Sequence, residues 1–339
     1  MKKYALFIGI DISKSWIDVN LTLDGQKASM LHHRFANREK SFIKMRKWIN
    51  QFATKHQIPF QQWLFCMEHT GVYTLPLAFF LEKQELDYVL ESALQIKRSM
   101  GLRRGKDDKT DSQDIARYAF LFRKELKVSK LPSKAILQLK DLMAYRERLI
   151  KYCNALKVSA KESQTMLGSH FLQDICDDTD EIVALYKKKI RKAEKLIKDI
   201  IEAHENLKAV YELATSVKGI GMICAVQFII HTNCFKAFDD HRKFACYISI
   251  APFAKQSGST LNLPAKVSPM GHKKLKAILT NAALSAIQHN KELSAYYQKK
   301  LKQGKNKYSV LNAVKNKLVS YVFATVKRGT PFVERYNYA

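Results

Sequence analysis

The sequence contains no long hydrophobic run. No uncharged apolar stretch approaches the roughly 20 residues that a membrane-spanning helix needs, which argues against a membrane protein. The apolar run at 4–10 follows two lysines, as in a secretory signal peptide. However, Asp11 and Lys14 interrupt the chain there without a small-residue cleavage site. We therefore expect a cytoplasmic, nucleoid-associated protein.

Cysteine patterns typical of metal sites or redox sites are also missing. The six cysteines are widely scattered, with no CxxC pair and no histidine at zinc-ligand spacing. We expect reduced and mostly buried thiols. They are Cys66, Cys153, Cys176, Cys224, Cys234 and Cys246.

Acidic residues are scarce relative to basic ones. Asp and Glu total 31 against 58 Lys and Arg, a formal net charge of +27. This excess predicts a polyanionic partner, and nucleic acid is the leading candidate. With 339 residues and 47% hydrophobic content, the chain is long enough for two domains and a connector.

Short strand-like runs alternate with helical patterns over the first part of the chain. Runs at 4–10, 16–22 and near 28–35 predict a three-strand meander. The elements that follow are predicted as a helix at 39–56, a strand at 63–67, a helix at 75–83, a strand at 88–90 and helices near 94–101 and 110–122. This order indicates an α/β domain with a ribonuclease-H-like fold.

The segment 133–207 has no proline and a single glycine. Apolar residues recur at three- and four-residue spacing, as in Ile136 and Leu139 or Ile182 and Leu185, which predicts two long helices. Dense mixed charge, as in KKKIRKAEK, is typical of an antiparallel or intermolecular coiled coil. A helical connector packed on its own domain explains the pattern equally well.

A last, mainly helical domain begins near Ala214 with the turn VKGIG. Its glycines either let backbone N–H groups approach a phosphate or simply join two helices. From Lys266 to the last residue there are fifteen Lys and Arg but only two acids, Glu292 and Glu334. Solvated faces usually mix both signs, so this asymmetry predicts a nucleic-acid-binding surface.

Eight lysines of this region lie where a helix and the adjoining loop would follow a phosphate backbone, interleaved with tyrosines suited to base stacking. The lysines are Lys273, Lys274, Lys276, Lys299, Lys300, Lys302, Lys305 and Lys307, and the tyrosines are Tyr296, Tyr297 and Tyr308.

Two acids stand at the ends of predicted strands. Asp11 lies in GIDISK after the first strand, and Glu68 lies in LFCMEHTG after the fourth. Those strands are neighbours in a ribonuclease-H-like sheet, and two carboxylates side by side repel each other unless a cation lies between them. Asp111 and Asp114 share one face of a helix start, which would swing them over the strand ends. Two cations about 4 Å apart suit phosphodiester chemistry, and carboxylates are the ligands that Mg²⁺ prefers.

Each acid also has an ordinary structural interpretation. An acid at a helix start usually caps the helix or complements its dipole. Asp107 and Asp108 compete for the same role, and Asp114 has Arg117 as a neighbour for an ion pair. The strand order and the basic charge together favour the metal site.

These ordered motifs resemble the DEDD transposases of the IS110 family of insertion sequences. They are GIDISK, MEHTGVY and KTDSQDIA in the first part, and VKGIGMICA, FKAFDDHRKFACYISIAPF, QSGS and MGHKKLKAILTNAALSA in the last. The resemblance covers almost the whole chain and is weakest over the coiled segment. Several motifs in order are far more specific than any single motif.

The resemblance implies three parts: a RuvC-like domain at 1–130, a helical coiled-coil connector at 131–207 and a C-terminal transposase domain at 208–339. The family's acids correspond to Asp11, Glu68, Asp111 and Asp114, and its nucleophilic serine corresponds to Ser257. The implied chemistry is Mg²⁺ or Mn²⁺ binding by the acids and a covalent phosphoserine link between Ser257 and DNA. The implied partners are double-stranded donor and target DNA, a structured non-coding bridge RNA, and further copies of the chain as a homodimer or homotetramer.

Two other functions remain open at this point. One is a RuvC-like junction resolvase or nuclease in which Ser257 is structural, since a serine next to a glycine is usually a turn residue. Ser259 and Thr260 are close enough to be mistaken for the nucleophile, and no neighbouring His or Lys is an obvious general base. The other is a non-catalytic nucleic-acid-binding protein whose acids are helix caps.

Overall fold

The computed structural model describes residues 4–69, 71–101, 107–167, 173–257 and 261–334. The chain forms two compact units, Met1–Leu131 and Pro132–Ala339. The separation of a connector from the last domain at 207 stays a prediction. No helix in the described ranges is both long and apolar enough to cross a membrane.

The first unit contains a five-stranded mixed sheet. Its strands are β1 (Leu6–Ile12), β2 (Trp16–Thr22), β3 (Leu31–Ala36), β4 (Trp63–Glu68) and β5 (Tyr88–Glu91). The spatial order is β3-β2-β1-β4-β5. The first three strands form an antiparallel meander, and β4 and β5 run parallel to β1. This confirms the ribonuclease-H-like fold, with β3 beginning slightly later than expected because a 3-10 turn, Lys27–Ser29, precedes it.

Strand alternation divides the side chains between the two faces of this sheet. Ile8 of β1, Val19 of β2 and Phe65 of β4 belong to one buried cluster, which also contains residues of two helices. These helices are α1 (Glu39–Lys55) and α2 (Leu75–Lys83). Phe7 and Cys66 belong to a second cluster on the other face.

The second face of the sheet is covered by α4 (Asp108–Leu121), which follows the short helix α3 (Ala93–Ser99). A glycine makes this close packing feasible, because a Cβ atom on Gly9 would lie 2.4 Å from the carbonyl oxygen of Ser112. Ser112 also accepts a hydrogen bond from the Asn20 side-chain nitrogen of β2 at 2.7 Å. The N-terminal half of α4 is thereby held over β1 and β2.

The second unit begins with a pair of long helices, α5 (Lys134–Leu167) and α6 (Gln173–Glu202). They contact each other, and Arg146 of α5 pairs with Glu194 of α6 at 2.7 Å. Leu139, near the start of α5, and Ile201, near the end of α6, lie in one buried cluster, so the two helices are antiparallel. That cluster includes residues of the next two helices. The pair therefore packs on its own unit, and an additional intermolecular coiled coil stays a prediction.

The remaining helices surround a large buried cluster. They are α7 (Glu205–Thr215), α8 (Met222–His231), α9 (His241–Tyr247), α10 (Lys273–His289), α11 (Lys291–Lys302) and α12 (Lys307–Arg328). A two-stranded antiparallel hairpin, β6 (Pro252–Ser257) and β7 (Leu261–Val267), lies between α9 and α10.

The VKGIG motif joins α7 to α8. Gly219 has a φ of +97°, and a Cβ atom there would lie 2.5 Å from the Ala286 Cβ of α10. Both constraints require glycine, so the structure supports the interpretation of this motif as a helix-joining turn.

All six cysteines are free thiols, as expected. Four of them are buried, while Cys234 is half-buried and Cys246 is exposed. Burial raises the pKa of the Cys224 thiol to about 12, so this thiol stays protonated.

Candidate functional site

Four carboxylates stand side by side at one edge of the five-stranded sheet. Asp11 of β1 pairs in register with Asp18 of β2, and Glu68 of β4 pairs with Glu91 of β5. Ile10 pairs with the residue before Glu68, which makes Asp11 and Glu68 the next neighbours across the parallel pair. Adjacent strands lie about 4.8 Å apart. The sequence-based expectation that Asp11 and Glu68 lie together is thus met, and each has a further acid beside it.

The two outer acids of this row are held by other side chains. The buried carboxylate of Asp18 accepts hydrogen bonds from Arg34 Nε at 3.0 Å and contacts His32 Nε2 at 2.8 Å. Glu91 accepts a hydrogen bond from the Tyr118 hydroxyl of α4 at 3.0 Å. Asp18 therefore helps to hold β3 against β2, and Glu91 helps to hold α4 against the sheet.

Asp11 lies at the centre of a concentration of negative charge. Its pKa is raised to about 6, first because burial strips water from the carboxylate and then because Asp111, Glu68 and Asp108 carry like charge nearby. A carboxyl group in this environment gains from a nearby cation, which would return its pKa towards the ordinary range.

Helix α4 supplies the charges opposite the sheet. Asp111 lies in its first turn, as does Asp108, which also pairs with Arg34 at 3.1 Å. Asp114 is mostly buried, and its carboxylate pairs with the Lys27 ammonium at 2.7 Å. Asp108 is among the charges that raise the pKa of Asp11.

The donor set of this edge suits a hard divalent cation, because carboxylate oxygens are the ligands that Mg²⁺ takes in proteins. In the described residues, no group of three or more His, Cys, Asp or Glu side chains is arranged closely enough to coordinate one ion. The backbone brings Asp11, Glu68 and Asp111 to one region. Coordination of one ion therefore requires their side chains to turn towards a common point.

Sequence reasoning missed Asp18, Arg34 and His32. Asp18 occupies a strand position whose neighbours Ile17 and Val19 face the opposite, apolar side. Strand alternation therefore placed Asp18 on the same face as Asp11, and an acid at such a position needs buried partners. The alternation of β2 was therefore the sequence signal from which Asp18 could have been found.

Ser257 is the last residue of β6, in the second unit. The strand begins just after Ile250, whose carbonyl oxygen accepts hydrogen bonds from the side-chain nitrogens of Asn312 and Asn316 at 2.7 and 2.9 Å. Two carboxamides one turn apart on α12 therefore anchor the base of the hairpin. Ser259 and Thr260 lie outside the described residues, as do the contacts of the Ser257 side chain.

The predicted basic surface is distributed over three helices. Lys273, Lys274 and Lys276 lie in the first turn of α10, where Lys274 pairs with Glu147 at 2.9 Å. The others follow at the end of α11, in the loop after it and at the start of α12: Lys299, Lys300, Lys302, Lys305 and Lys307.

The three tyrosines of this region differ in exposure. Tyr308 is 79% exposed, Tyr297 is only 7% exposed and belongs to the core, and the ammonium of Lys317 lies 4.8 Å from the centroid of the Tyr296 ring. Tyr308 is therefore the tyrosine best placed for stacking with a base. The prediction that Tyr297 stacks with a base is wrong, because its ring packs inside the unit.

Comparisons with known proteins match both parts of the chain. Residues 8–171 match a family model of DEDD type described as "Transposase", and residues 211–298 match the model described as "Transposase IS116/IS110/IS902 family". Two relatives named "Pilin gene-inverting protein", from Moraxella lacunata and Moraxella bovis, are each 22% identical over 97% of this chain and 98% of their own length.

Proposed function

Because the chain belongs to the IS110 family of transposases, enzymes that cleave and transfer DNA strands, we propose that it recombines DNA with a divalent-cation site and a serine nucleophile. The observation that carries the divalent-cation site is the strand register that sets Asp11 beside Glu68 in the row of acids, and the raised pKa of Asp11 agrees with it. The second half rests on the match between Ser257 and the family's Ser-Gly motif.

The cation is Mg²⁺, or Mn²⁺ in its place, held by Asp11, Glu68, Asp111 and Asp114. Binding by Asp114 requires its carboxylate to leave Lys27, whose ammonium now neutralises it. When bound, a divalent cation supplies Lewis-acid polarisation of a phosphoryl oxygen and stabilises charge on the leaving oxygen. The carboxylates orient the cation, and Arg34 and Tyr118 keep the outer acids away from it.

Ser257 is the nucleophile. Its hydroxyl loses a proton as its oxygen forms an ester bond to the phosphorus of a DNA phosphodiester. The bond between that phosphorus and one deoxyribose oxygen breaks, and this oxygen leaves as a hydroxyl end. A hydroxyl end of another strand then attacks the phosphoserine and releases Ser257, so the strands are rejoined without an external energy source.

The acids and Ser257 belong to different units, so catalysis brings them together either within one copy or between copies. Exposed apolar side chains along the far half of the α5–α6 pair support association of copies as a dimer or tetramer. They include Val158, Met166, Ile175 and Leu185.

A structured bridge RNA is proposed to guide the enzyme to its donor and target DNA. The charge of +27 and the lysines of α10 to α12 suit binding to a long polyanion. Purification of the chain with RNA transcribed from the DNA flanking its gene tests this proposal. A discrete bound RNA is expected, and a mixture reflecting only total cellular RNA would contradict it.

The serine mechanism is tested by Ser257→Ala, with Ser259→Ala as the matched control. Denaturing gels should show a covalent protein–DNA species for the unsubstituted chain and Ser259→Ala, and none for Ser257→Ala. If Ser259→Ala abolishes the species instead, the nucleophile is misassigned. If Ser257→Ala still cleaves DNA and no covalent species forms, the chain acts as a RuvC-like nuclease or resolvase.

Mixing two inactive variants tests whether copies share a site. Asp11→Asn and Ser257→Ala should each be inactive alone. A mixture recovers activity if the serine of one copy works with the acids of another, and stays inactive if both must come from one copy. A fully active Asp11→Asn protein would contradict the cation site itself.

The two relatives are named for inverting a pilin gene. Inversion requires both strands to be cut and rejoined at each of two sites, four cleavages and four rejoining steps, which suits the reversible serine ester proposed here. We therefore expect a plasmid with two inverted sites to yield the inverted product.

A further inference from the structure

A cavity of about 160 Å³ lies among α5, α8 and α10 of the second unit, and neither Ser257 nor any acid of the row lines it. Its floor is apolar and is formed by side chains that include Met143, Ile230 and Ile278. An apolar cavity with a few converging polar groups is the usual form of a small-ligand site. The function proposed above gives the cavity no role, although Lys274 of its lining belongs to the basic surface.

The volume restricts what the cavity holds. A closed apolar cavity of about 150 Å³ accommodates one benzene ring, whereas sites for whole nucleotides or cofactors occupy about 300 Å³ or more. The volume of the cavity therefore matches a single planar ring of six atoms better than the fused rings of a purine.

The polar groups of the cavity suit the hydrogen-bonding edge of a heterocycle. Gln227 is only 6% exposed and offers both an amide donor and an amide acceptor. Glu147 accepts from Lys274 Nζ at 2.9 Å and from Gln227 Nε2 at 3.4 Å. The lining thus offers both donors and acceptors, as the pairing edge of a pyrimidine does.

Two imidazole rings also line the cavity. His231 and His272 lie with their ring centroids 4.4 Å apart in an edge-to-face arrangement. His272 Nδ1 accepts a hydrogen bond from the Leu275 backbone nitrogen at 3.1 Å, so its Nε2 carries the hydrogen. His231 Nδ1 lies 3.0 Å from the Tyr247 hydroxyl. Neutral aromatic rings provide a stacking surface for a base.

The surroundings of the cavity are basic. Lys140 and Lys274 are among its lining residues, and the exposed Lys273 precedes Lys274 on α10. Ammonium groups around an apolar cavity would hold the phosphates on either side of an inserted base.

We propose that this cavity binds one unstacked pyrimidine base of the DNA on which the transposase acts. A base taken out of the stack loses its stacking energy, and a fitted pocket that contacts its edge and its ring offsets that loss. Gln227 and Glu147 read the edge of the base, while His231 and His272 contact its ring. The site reads a single base and is independent of the serine mechanism.

A cavity-filling substitution tests the site directly. Ala144 is a half-buried residue of the cavity lining on α5, and Ala155 is an exposed alanine of the same helix outside the lining. Ala144→Phe fills the cavity without changing charge, and Ala155→Phe is the matched control. The probes are single-stranded DNA 12-mers, all thymine or all adenine, without cations so that no cleavage occurs.

The unsubstituted chain and Ala155→Phe should bind the thymine strand at least about fivefold more tightly than the adenine strand, which corresponds to one base stack. Ala144→Phe should bind both strands equally. Equal binding of both strands by the unsubstituted chain, or an unchanged preference in Ala144→Phe, would overturn the proposal.

A 5-fluorouracil base placed at one position of an all-adenine strand gives a second readout. Its fluorine resonance should shift and broaden on binding to the unsubstituted chain and not on binding to Ala144→Phe. A shift with an RNA strand and none with the DNA strand would overturn the assignment to DNA. If Ala144→Phe does not fold, Gln227→Met replaces it, because it keeps the side-chain volume and removes the polar edge.

Discussion

A Cβ atom on Gly9 would lie 2.1 Å from the backbone nitrogen of Ala116. The first strand and α4 therefore cross at a point where only a hydrogen atom fits between them. Asp11 lies two residues further along the same face of β1, and Asp111 lies in the first turn of α4. The packing of one glycine thus places the acids of two elements in the same region.

Gly9→Ala should destabilise the first unit by about 3 kcal/mol or more, because the methyl group meets backbone atoms that cannot rotate away. The control is Gly71→Ala, where nothing lies near the added atom but φ is +76°. That strain costs about 1–2 kcal/mol. Urea unfolding followed by tryptophan fluorescence measures both, since all three tryptophans lie in the first unit. A smaller loss for Gly9→Ala than for Gly71→Ala would contradict the observed crossing.

Asp11→Asn should stabilise the first unit at pH 7.5 in EDTA and have no effect at pH 3.5. The folded pKa of about 6 exceeds the ordinary value of 3.8, so the folded state holds the proton more tightly. The contribution of Asp11 to the free energy of unfolding is therefore fully present below pH 3.8 and is lost as the pH rises through 6. With allowance for solvent screening, the gain at pH 7.5 is about 1–2 kcal/mol. Added Mg²⁺ should then stabilise the unsubstituted chain but not Asp11→Asn.

Asp24→Asn is the control of opposite sign for Asp11→Asn. The pKa of Asp24 is lowered, chiefly by a hydrogen bond from the Gln26 backbone and then by one from Ser29. Its ionised form therefore stabilises the fold, and Asp24→Asn should weaken the first unit at pH 7.5. If both substitutions change stability in the same direction, the assigned environment of Asp11 is wrong.

In His231→Gln, the free energy of unfolding of the second unit should fall less steeply as the pH is lowered. The pKa of His231 is lowered to about 4, first by burial and then by the charges of His272 and Lys140. In the unfolded chain His231 binds its proton at about pH 6.5. Its contribution to the free energy of unfolding is therefore fully present above that pH and falls as the pH drops towards 4. The full effect is about 3 kcal/mol. Unfolding followed by circular dichroism from pH 7.5 to 4.5 checks this, and an equally steep slope in His231→Gln would count against it.

Lys315→Met should stabilise the second unit by about 1–2 kcal/mol. The side chain is only 6% exposed, its Nζ donates to Thr280 Oγ1 at 3.1 Å, and no carboxylate within the described ranges pairs with it. Burial and then the charge of Lys276 lower its pKa. Methionine keeps most of the volume and removes the buried charge.

Lys317→Met is the matched control for Lys315→Met on the same helix. Its ammonium lies 4.8 Å from the centroid of the Tyr296 ring, so its loss should cost about 0.5–1 kcal/mol. Guanidinium unfolding of both variants gives the comparison. A loss of stability in Lys315→Met as large as that in Lys317→Met would show that the buried ammonium has a stabilising partner.

Much of the fold was predictable from local patterns. Alternating apolar residues in β1 and β2 and the three- and four-residue spacing in α5 and α6 reflect the geometry of a single strand or helix. Asp11 and Glu68 were predictable for the same reason, since each directly follows an apolar strand. Tyr297 was not, because a tyrosine on a basic helix has the same local pattern whether its ring faces solvent or the core.

The sequence by itself determined the order of strands and helices, the charge that selects a nucleic-acid partner, and the two acids at the strand ends. Only the tertiary structure decided that Asp18 and Glu91 complete the row, that Lys27 pairs with Asp114, and that three helices enclose a cavity. These features depend on strand register and on helix packing. Both are set by contacts between residues far apart in the chain. Local alternation gives the face of the sheet on which Asp18 lies, but not which residue stands beside it.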